Sequence, residues 1–355
     1  MRILITGNMG YVGPAVVAHL RERYPHCELL GFDSGLFAGH LSTTGPIPET
    51  RLNAQHFGDV RDLPASLLSG VTAIVHLAAI SNDPMGNRFE TATEEINRIA
   101  SARLAKLANE AGVRSFVFAS SCSVYGFAES GARQEDDALN PLTAYARSKA
   151  MTEDALSQME LTGMTVSSLR FATACGMSDR IRLDLVLNDF VACSLTSGEI
   201  TVLSDGTPWR PLIDIRDMAR GIEWAISRAP EQGGRVLKIN VGADESNHRI
   251  KDLASAVAAA VPGTSVSINT AAPADSRSYR VDFSLYRKLA PNHQPRVDLR
   301  QSIDGLVTGL RDLGFADRNF RESDKIRLKT LSRLVAANRL STDLRWMRPG
   351  MDGQE

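Results

Sequence analysis

The sequence is short of the features that mark several large classes of protein. Its 40 Lys and Arg stand against 41 Asp and Glu, a formal net charge of −1 with no basic run. Neither nucleic acid nor an anionic membrane surface is therefore an expected partner. No stretch reaches the ~18 consecutive apolar residues that a bilayer-spanning helix needs, so no membrane association is expected. Cysteine is scarce: Cys27, Cys122, Cys175 and Cys193 have neither disulfide-framework nor metal-site spacing. Free thiols in a reducing cytoplasm are the expectation, and no metal is expected. No leader peptide is expected, because a strand pattern already begins at Arg2. Internal repeats and low-complexity segments are absent too.

What is present is enough to build a full core: 355 residues, 43% of them apolar and 23% charged. That length allows one large domain or two intimate ones. The most informative stretch is the first. Apolar and β-prone residues at Arg2–Thr6 run into a Thr-Gly-x-x-Gly-x-x-Gly pattern over 6–13, and a helical apolar pattern follows at Val12, Val16, Val17 and Leu20. A strand, a tight glycine turn and a helix start make a ready site for a dinucleotide pyrophosphate, because the exposed N–H groups and the helix dipole favour an anion. Gly7 is expected to make the turn, Gly10 to admit the phosphate and Gly13 to let the helix press on the strand. Met9, Tyr11 and Val12, between these glycines, join the expected cofactor site.

Strand patterns recur at Glu28–Phe32, Ala73–Leu77, Ser115–Ala119 and Thr165–Arg170, with helical patterns at Ala92–Ala111 and Ala144–Leu161. Such alternation predicts an α/β fold, a doubly wound parallel (Rossmann) sheet. After Gly176 the rhythm changes. Arg182–Ser197 reads as a helix, Gly198–Leu203 and Ile213–Ile215 as strands, Met218–Arg228 as a helix, Val236–Val241 as a strand and Ile250–Val261 as a helix. The expected organisation is a dinucleotide-binding domain over 1–177, completed by about 208–241. A smaller, discontinuous substrate-binding part spans 178–207 and 242–315, and an appended helical segment 316–355.

Asp33 ends the second strand pattern, where a carboxylate accepts both adenosine-ribose hydroxyls and repels a 2′-phosphate. This favours NAD over NADP. Asp59 and Val60 follow a third strand and are expected near the adenine, although Asp59 equally suits a turn. Tyr145 and Lys149 are four apart at a helix start and so share a face. A neighbouring ammonium and a positively charged nicotinamide ring both favour the phenolate of such a tyrosine, which would let it act as a base. Ser121, after the fifth strand, is placed to hydrogen-bond both the reacting oxygen and Tyr145.

Four motifs now stand in order: the glycine pattern, His76-Leu77-Ala78-Ala79, the Ser-Ser-x-x-Val-Tyr-Gly run of 120–126, and Tyr-x-x-x-Lys at 145–149. Together the sequence resembles the extended short-chain dehydrogenases/reductases, in their branch of nucleotide-sugar epimerases and dehydratases, from residue 1 to about 310. The resemblance implies Tyr145 as catalytic base, Lys149 as its ribose-binding partner and Ser121 as the assisting hydroxyl. It implies that Leu77, Ala78 and Ala79 line the cofactor and that His76 is structural. Arg210 and Arg277 would grip the substrate diphosphate, as the guanidinium fork suits phosphate oxygens, and Asp217 would cap a helix. Ser123 and Thr173 would face the sugar, while Asn82 and Asp83 either orient its hydroxyls or merely make an Asx-Pro turn.

Two departures from the family pattern matter. Dehydratases of the branch carry an Asp-Glu pair just after the catalytic hydroxyl residue, where this chain has Cys122 and Ser123. Thr173 replaces an amide that commonly touches substrate. The leading expectation is an NAD-dependent epimerase of a nucleoside-diphosphate sugar, acting through a transient keto-sugar. The alternative is a ketoreductase or dehydrogenase with exchangeable NAD(P)(H). A 4,6-dehydratase and a non-catalytic nucleotide-binding protein rank lower. By analogy the chain forms a homodimer through the helices at 92–111 and 144–161.

Overall fold

In a computed structural model, residues 1–128, 131–271 and 278–347 are described. Seven strands form a wholly parallel central sheet in the order Val236–Val241, Thr165–Phe171, Ser115–Ser121, Ala73–His76, Arg2–Thr6, Glu28–Asp33, Ala54–Phe57. The order reverses at Arg2–Thr6, the first strand laid down, which opens a crevice beyond its carboxyl end. The strands are apolar on both faces because helices cover both: Ile3, Leu4 and Ile5 are fully buried. Helix Gly13–Arg23 follows at once, with Pro14 in its first turn and Val16, Val17 and Leu20 against the sheet.

Outside this sheet, Trp209–Asp214 lies between Asn247–Arg249 and Thr173–Cys175, while Glu199–Val202 pairs with Ser265–Ile268. Helices Val186–Thr196, Ile250–Ala260 and Leu299–Asp312 pack on one another beside these short sheets, and Phe190, Val202, Arg210 and Ile250 among them line the cavity.

Several boundaries differ from the sequence reading for identifiable reasons. The pattern at 92–111 is one turn of helix at Glu90–Thr93, a π-helical stretch at Glu94–Ile99 and then helix Ala100–Glu110. Within the π stretch, buried Asn97 accepts from the Ile80 N–H at 2.8 Å and donates to the Ile80 carbonyl at 3.0 Å, fastening the loop after the fourth strand. The helix expected from Arg182 starts at Val186, because Arg182 and Asp184 pair with each other instead. The strand read as Ile213–Ile215 is Trp209–Asp214, and it runs directly into helix Ile215–Ser227. That helix is capped by Asp214, which accepts the Arg216 N–H at 3.0 Å, and not by Asp217 as the resemblance implied. Asp217 instead receives the N–H groups of Arg296 and Val297, each at 2.9 Å.

Candidate active site

The glycine turn is shaped by backbone meeting backbone. Gly7 has φ +75°, and a Cβ there would sit 2.5 Å from the Ala78 nitrogen. A Cβ on Gly13 would lie 2.0 Å from the Asn8 carbonyl oxygen, so this glycine closes the loop on itself rather than pressing the helix on the strand. A Cβ on Gly10 would meet only the Gly7 oxygen at 3.2 Å and otherwise faces open space. No side chain caps helix Gly13–Arg23 at Val12. Met9 and Tyr11 are buried; the Met9 N–H goes to Asp33 at 3.0 Å and the Tyr11 hydroxyl donates to the Gly176 carbonyl at 2.6 Å.

Beyond the turn opens a cavity of about 980 Å³, reached by Gly7, Gly10, Tyr11, Asp33, Ala78 and Tyr145 among others. The Asp33 carboxylate also accepts the Gly35 N–H at 2.8 Å. Burial pushes its pKa up while these two N–H groups hold it back. A carboxylate offers about four acceptor sites, so capacity for hydroxyl donors is left over. Asp59 is more committed. It caps the short turn Val60–Asp62 and binds the Arg61 guanidinium at 2.6 Å, which holds its pKa low against burial. Val60, Leu77, Ala78 and Ala79 line the cavity. His76 is buried between the hydroxyls of Thr6 (2.6 Å) and Ser101 (2.7 Å), and burial lowers it to about 3, a neutral structural group.

Tyr145 and Lys149 face the cavity from helix Ala144–Ser157, which Thr143 caps by accepting the Ala146 N–H at 3.2 Å. Ser121 ends its strand beside them, its hydroxyl accepting the Ser123 N–H at 3.1 Å. Burial drives Tyr145 up to about 12, with the Asp83 charge adding to it; the Ser121 hydroxyl and the Arg182 guanidinium pull the other way. The Lys149 ammonium donates to the Ala119 carbonyl at 2.7 Å and lies 5.7 Å from the centre of the Tyr145 ring, and burial lowers it to about 7. The Arg182 guanidinium is a second cation bearing on the phenol.

On the substrate side, Ser123 carries a buried hydroxyl with no hydrogen-bond partner among the described residues, at the cavity wall. Thr173 and Arg210 also line the cavity, on adjacent strands. Asn82 and Asp83 reach it, but Asn82 caps helix Asp83–Arg88 and donates to Asp184 at 2.6 Å, while Asp83 accepts the Thr143 hydroxyl at 2.6 Å. Arg277 lies outside the described residues. Sequence reasoning missed Arg182, Asp184 and Arg327, all at the cavity. The first two were absorbed into a predicted helix, and Arg327 comes from the far end of the chain.

A doubly wound sheet with a glycine-cradled helix start and a Ser–Tyr–Lys cluster in one cavity defines a short-chain-type oxidoreductase fold. Comparison with known proteins makes this specific. The model of the NAD dependent epimerase/dehydratase family matches residues 3–242. An uncharacterized UDP-glucose epimerase, YtcB, of Bacillus subtilis (strain 168) is 31% identical over 255 residues, covering 69% of this chain and 78% of that protein. A dTDP-glucose 4,6-dehydratase of Streptomyces griseus is 28% identical over 313 residues, covering 86% of this chain and 92% of its own length. Among solved structures, MoeE5 in complex with UDP-glucose and NAD superposes with a TM-score of 0.74 at 25% identity, over 88% of this chain and 99% of that one.

The chain belongs to the NAD-dependent epimerase/dehydratase family. It is an enzyme, and its cofactor is NAD. The residues fit that group: an uncapped helix start, a glycine facing open space and a ribose-end carboxylate with spare acceptor capacity. Among the described residues no helix is long and apolar enough to cross a membrane.

Proposed function

We propose that the chain is an NAD-dependent epimerase of a nucleoside-diphosphate sugar. One observation carries this reading against dehydration. Beside the Ser121–Tyr145–Lys149 cluster, the position where a dehydratase keeps its acid holds Cys122. That thiol is buried, donates to the Arg170 carbonyl at 3.1 Å and is pushed far above the usual thiol range by burial. It has neither the acidity nor the access to eliminate water from a sugar.

NAD, when bound, accepts and returns the hydrogen of the sugar carbon with its electron pair. The protein's share is proton handling and orientation. Tyr145 takes the hydroxyl proton as the sugar is oxidised and returns it to the same oxygen once the keto-sugar has turned its other face to the cofactor, with Ser121 holding that oxygen. Lys149 binds the cofactor ribose and adds positive charge near the phenol. Arg210 meets the substrate diphosphate, and Ser123 and Thr173 orient sugar hydroxyls.

The test is incubation with UDP- and dTDP-hexoses in D2O. An epimerase yields the isomeric nucleotide sugar with no solvent deuterium on carbon. A 4-keto-6-deoxy product carrying deuterium would overturn the reading.

We also propose a homodimer formed through the helices at 90–110 and 144–157. Ile99 and Met151, 49% and 46% exposed, are the large apolar side chains those helices leave to solvent. Buried, unpaired cysteines accord with a cytoplasmic setting.

A further inference from the structure

The family model stops at residue 242, and MoeE5, of which 99% is matched, covers only 88% of this chain. The chain therefore carries length that this relative lacks. Residues 316–347 do not trail into solvent. Phe320, Leu331, Leu340 and Leu344 are all buried, the last three in the core cluster on the side of the sheet that holds Leu30, Phe32 and Val60.

Two features of this segment reach the cofactor cavity. The first is Arg327, at the start of helix Arg327–Ala336 and only 1% exposed. Its guanidinium lies over the Phe37 ring at 4.2 Å, donates to His40 Nδ1 at 2.8 Å and to the Arg180 carbonyl at 3.1 Å. Neighbouring Arg180 and Arg182 have carboxylates of their own, Glu49 at 2.7 Å and Asp184 at 2.9 Å. Arg327 contacts none among the described residues, yet it lines the same cavity as Gly10, Tyr11, Val12 and Asp33. A buried cation without a counter-charge is costly, and an anion entering the cavity removes that cost. Burial and the Arg182 and Arg180 charges accordingly depress it to about 9, against a pull from Asp184 and Asp33.

The second feature is a clasp over the adenosine end. Leu344 lines the cavity alongside Leu36, Asp59 and Val60. It is fixed from both lips: the Trp346 indole N–H donates to the Ser34 carbonyl at 2.6 Å, beside Asp33. Arg61 donates to the Asp343 carbonyl at 2.9 Å, and Arg345 pairs with Asp62.

We propose that residues 316–347 are a cofactor strap, in which Arg327 is a binding residue for the dinucleotide diphosphate and the 340–346 clasp shuts the adenosine end. The strap makes NAD a resident group that exchanges slowly with solvent. This rests on the family's use of NAD and holds equally for an epimerase or a dehydrogenase. Its test is thus independent of the one for epimerisation.

The experiment measures release of NAD from purified holoenzyme by exchange with isotopically labelled NAD, followed by mass analysis, with no turnover involved. Arg327→Met is expected to speed release about tenfold or more, as a charge-assisted contact to phosphate is lost, and Arg327→Lys to do so less. In protein stripped of cofactor, Arg327→Met should weaken competition by ADP while leaving competition by adenosine unchanged. Trp346→Ala, which opens the clasp and leaves the charge, should speed release and weaken both competitors. It carries the test alone if Arg327→Met fails to fold. Release at the wild-type rate in Trp346→Ala, or equal loss of ADP and adenosine competition in Arg327→Met, would overturn the proposal.

Discussion

The ammonium of Lys149 rests on the carbonyl oxygen of Ala119 at 2.7 Å, one helical turn beyond Tyr145 and 5.7 Å from the centre of its ring. The two groups are thus held in one cavity while each is driven toward its neutral form by burial, the phenol up to about 12 and the amine down to about 7. A positive charge added beside them favours the phenolate.

Tyr145→Phe is expected to lower kcat by about two to four orders of magnitude, the usual worth of a positioned base, without loss of bound NAD. Steady-state rates and the cofactor content of the same preparation check both halves. Near-normal turnover would remove Tyr145 from the chemistry.

Lys149 also predicts a pH dependence of stability in cofactor-free protein. Its folded value of about 7 lies below the ordinary lysine value of 10.5, so the unfolded chain binds more protons between those limits. Stability contributed at this site therefore rises with pH from about 7 toward 10.5, and the penalty is fully present below 7. Thermal melts of wild type and Lys149→Met should show the variant gaining most at pH 6 and least at pH 10. Parallel curves would mean the amine is not desolvated.

Asp33→Ala should weaken NAD by about tenfold or more, the loss of a carboxylate that serves two ribose hydroxyls, and NADP much less. Calorimetric titration of stripped protein with each cofactor decides it. Equal losses would leave Asp33 as a loop anchor for Met9 and Gly35.

Gly10→Ala and Gly13→Ala separate binding from folding. The first adds a methyl at the cavity whose one close neighbour is the Gly7 oxygen at 3.2 Å, so NAD affinity should fall much more than the melting temperature. The second puts a methyl 2.0 Å from a backbone oxygen, so stability should fall by about 1–3 kcal/mol, the cost of overpacking a tight site. Melts with and without NAD read both effects.

Much of this architecture is legible in local spacing. The starts of the central strands at Arg2, Glu28, Ala73, Ser115 and Thr165, the glycine turn, Asp33 and the Tyr145–Lys149 pair all depend on neighbours within a few residues, and they lie where the patterns put them. What eluded the sequence depends on distant partners. Arg182 and Asp184 look like part of a helix until their mutual pairing, and the Asn82 bond to Asp184, hold the chain out of helix as far as Val186. Asp59 suits either the adenine or a turn by sequence, and its cap on Val60–Asp62 and its pairing with Arg61 make it a turn residue that still lines the cavity. The π stretch at Glu94–Ile99 follows from Asn97 reaching Ile80, a contact no periodicity reports. Arg327 is 294 positions from Asp33 in sequence numbering (327 − 33), so only the fold brings its charge to the cofactor.

The contact between Gly13 and the Asn8 carbonyl has a genetic consequence. A methyl at Gly31 would collide with side chains, those of Gln55, Leu52 and Asn8, and each of these can be shortened by a second mutation. At Gly13 the obstacle is main chain, which every amino acid brings with it. A selection for second-site revertants should therefore recover suppressors of Gly31→Ala at positions 52 and 55, and from Gly13→Ala only true reversion to glycine.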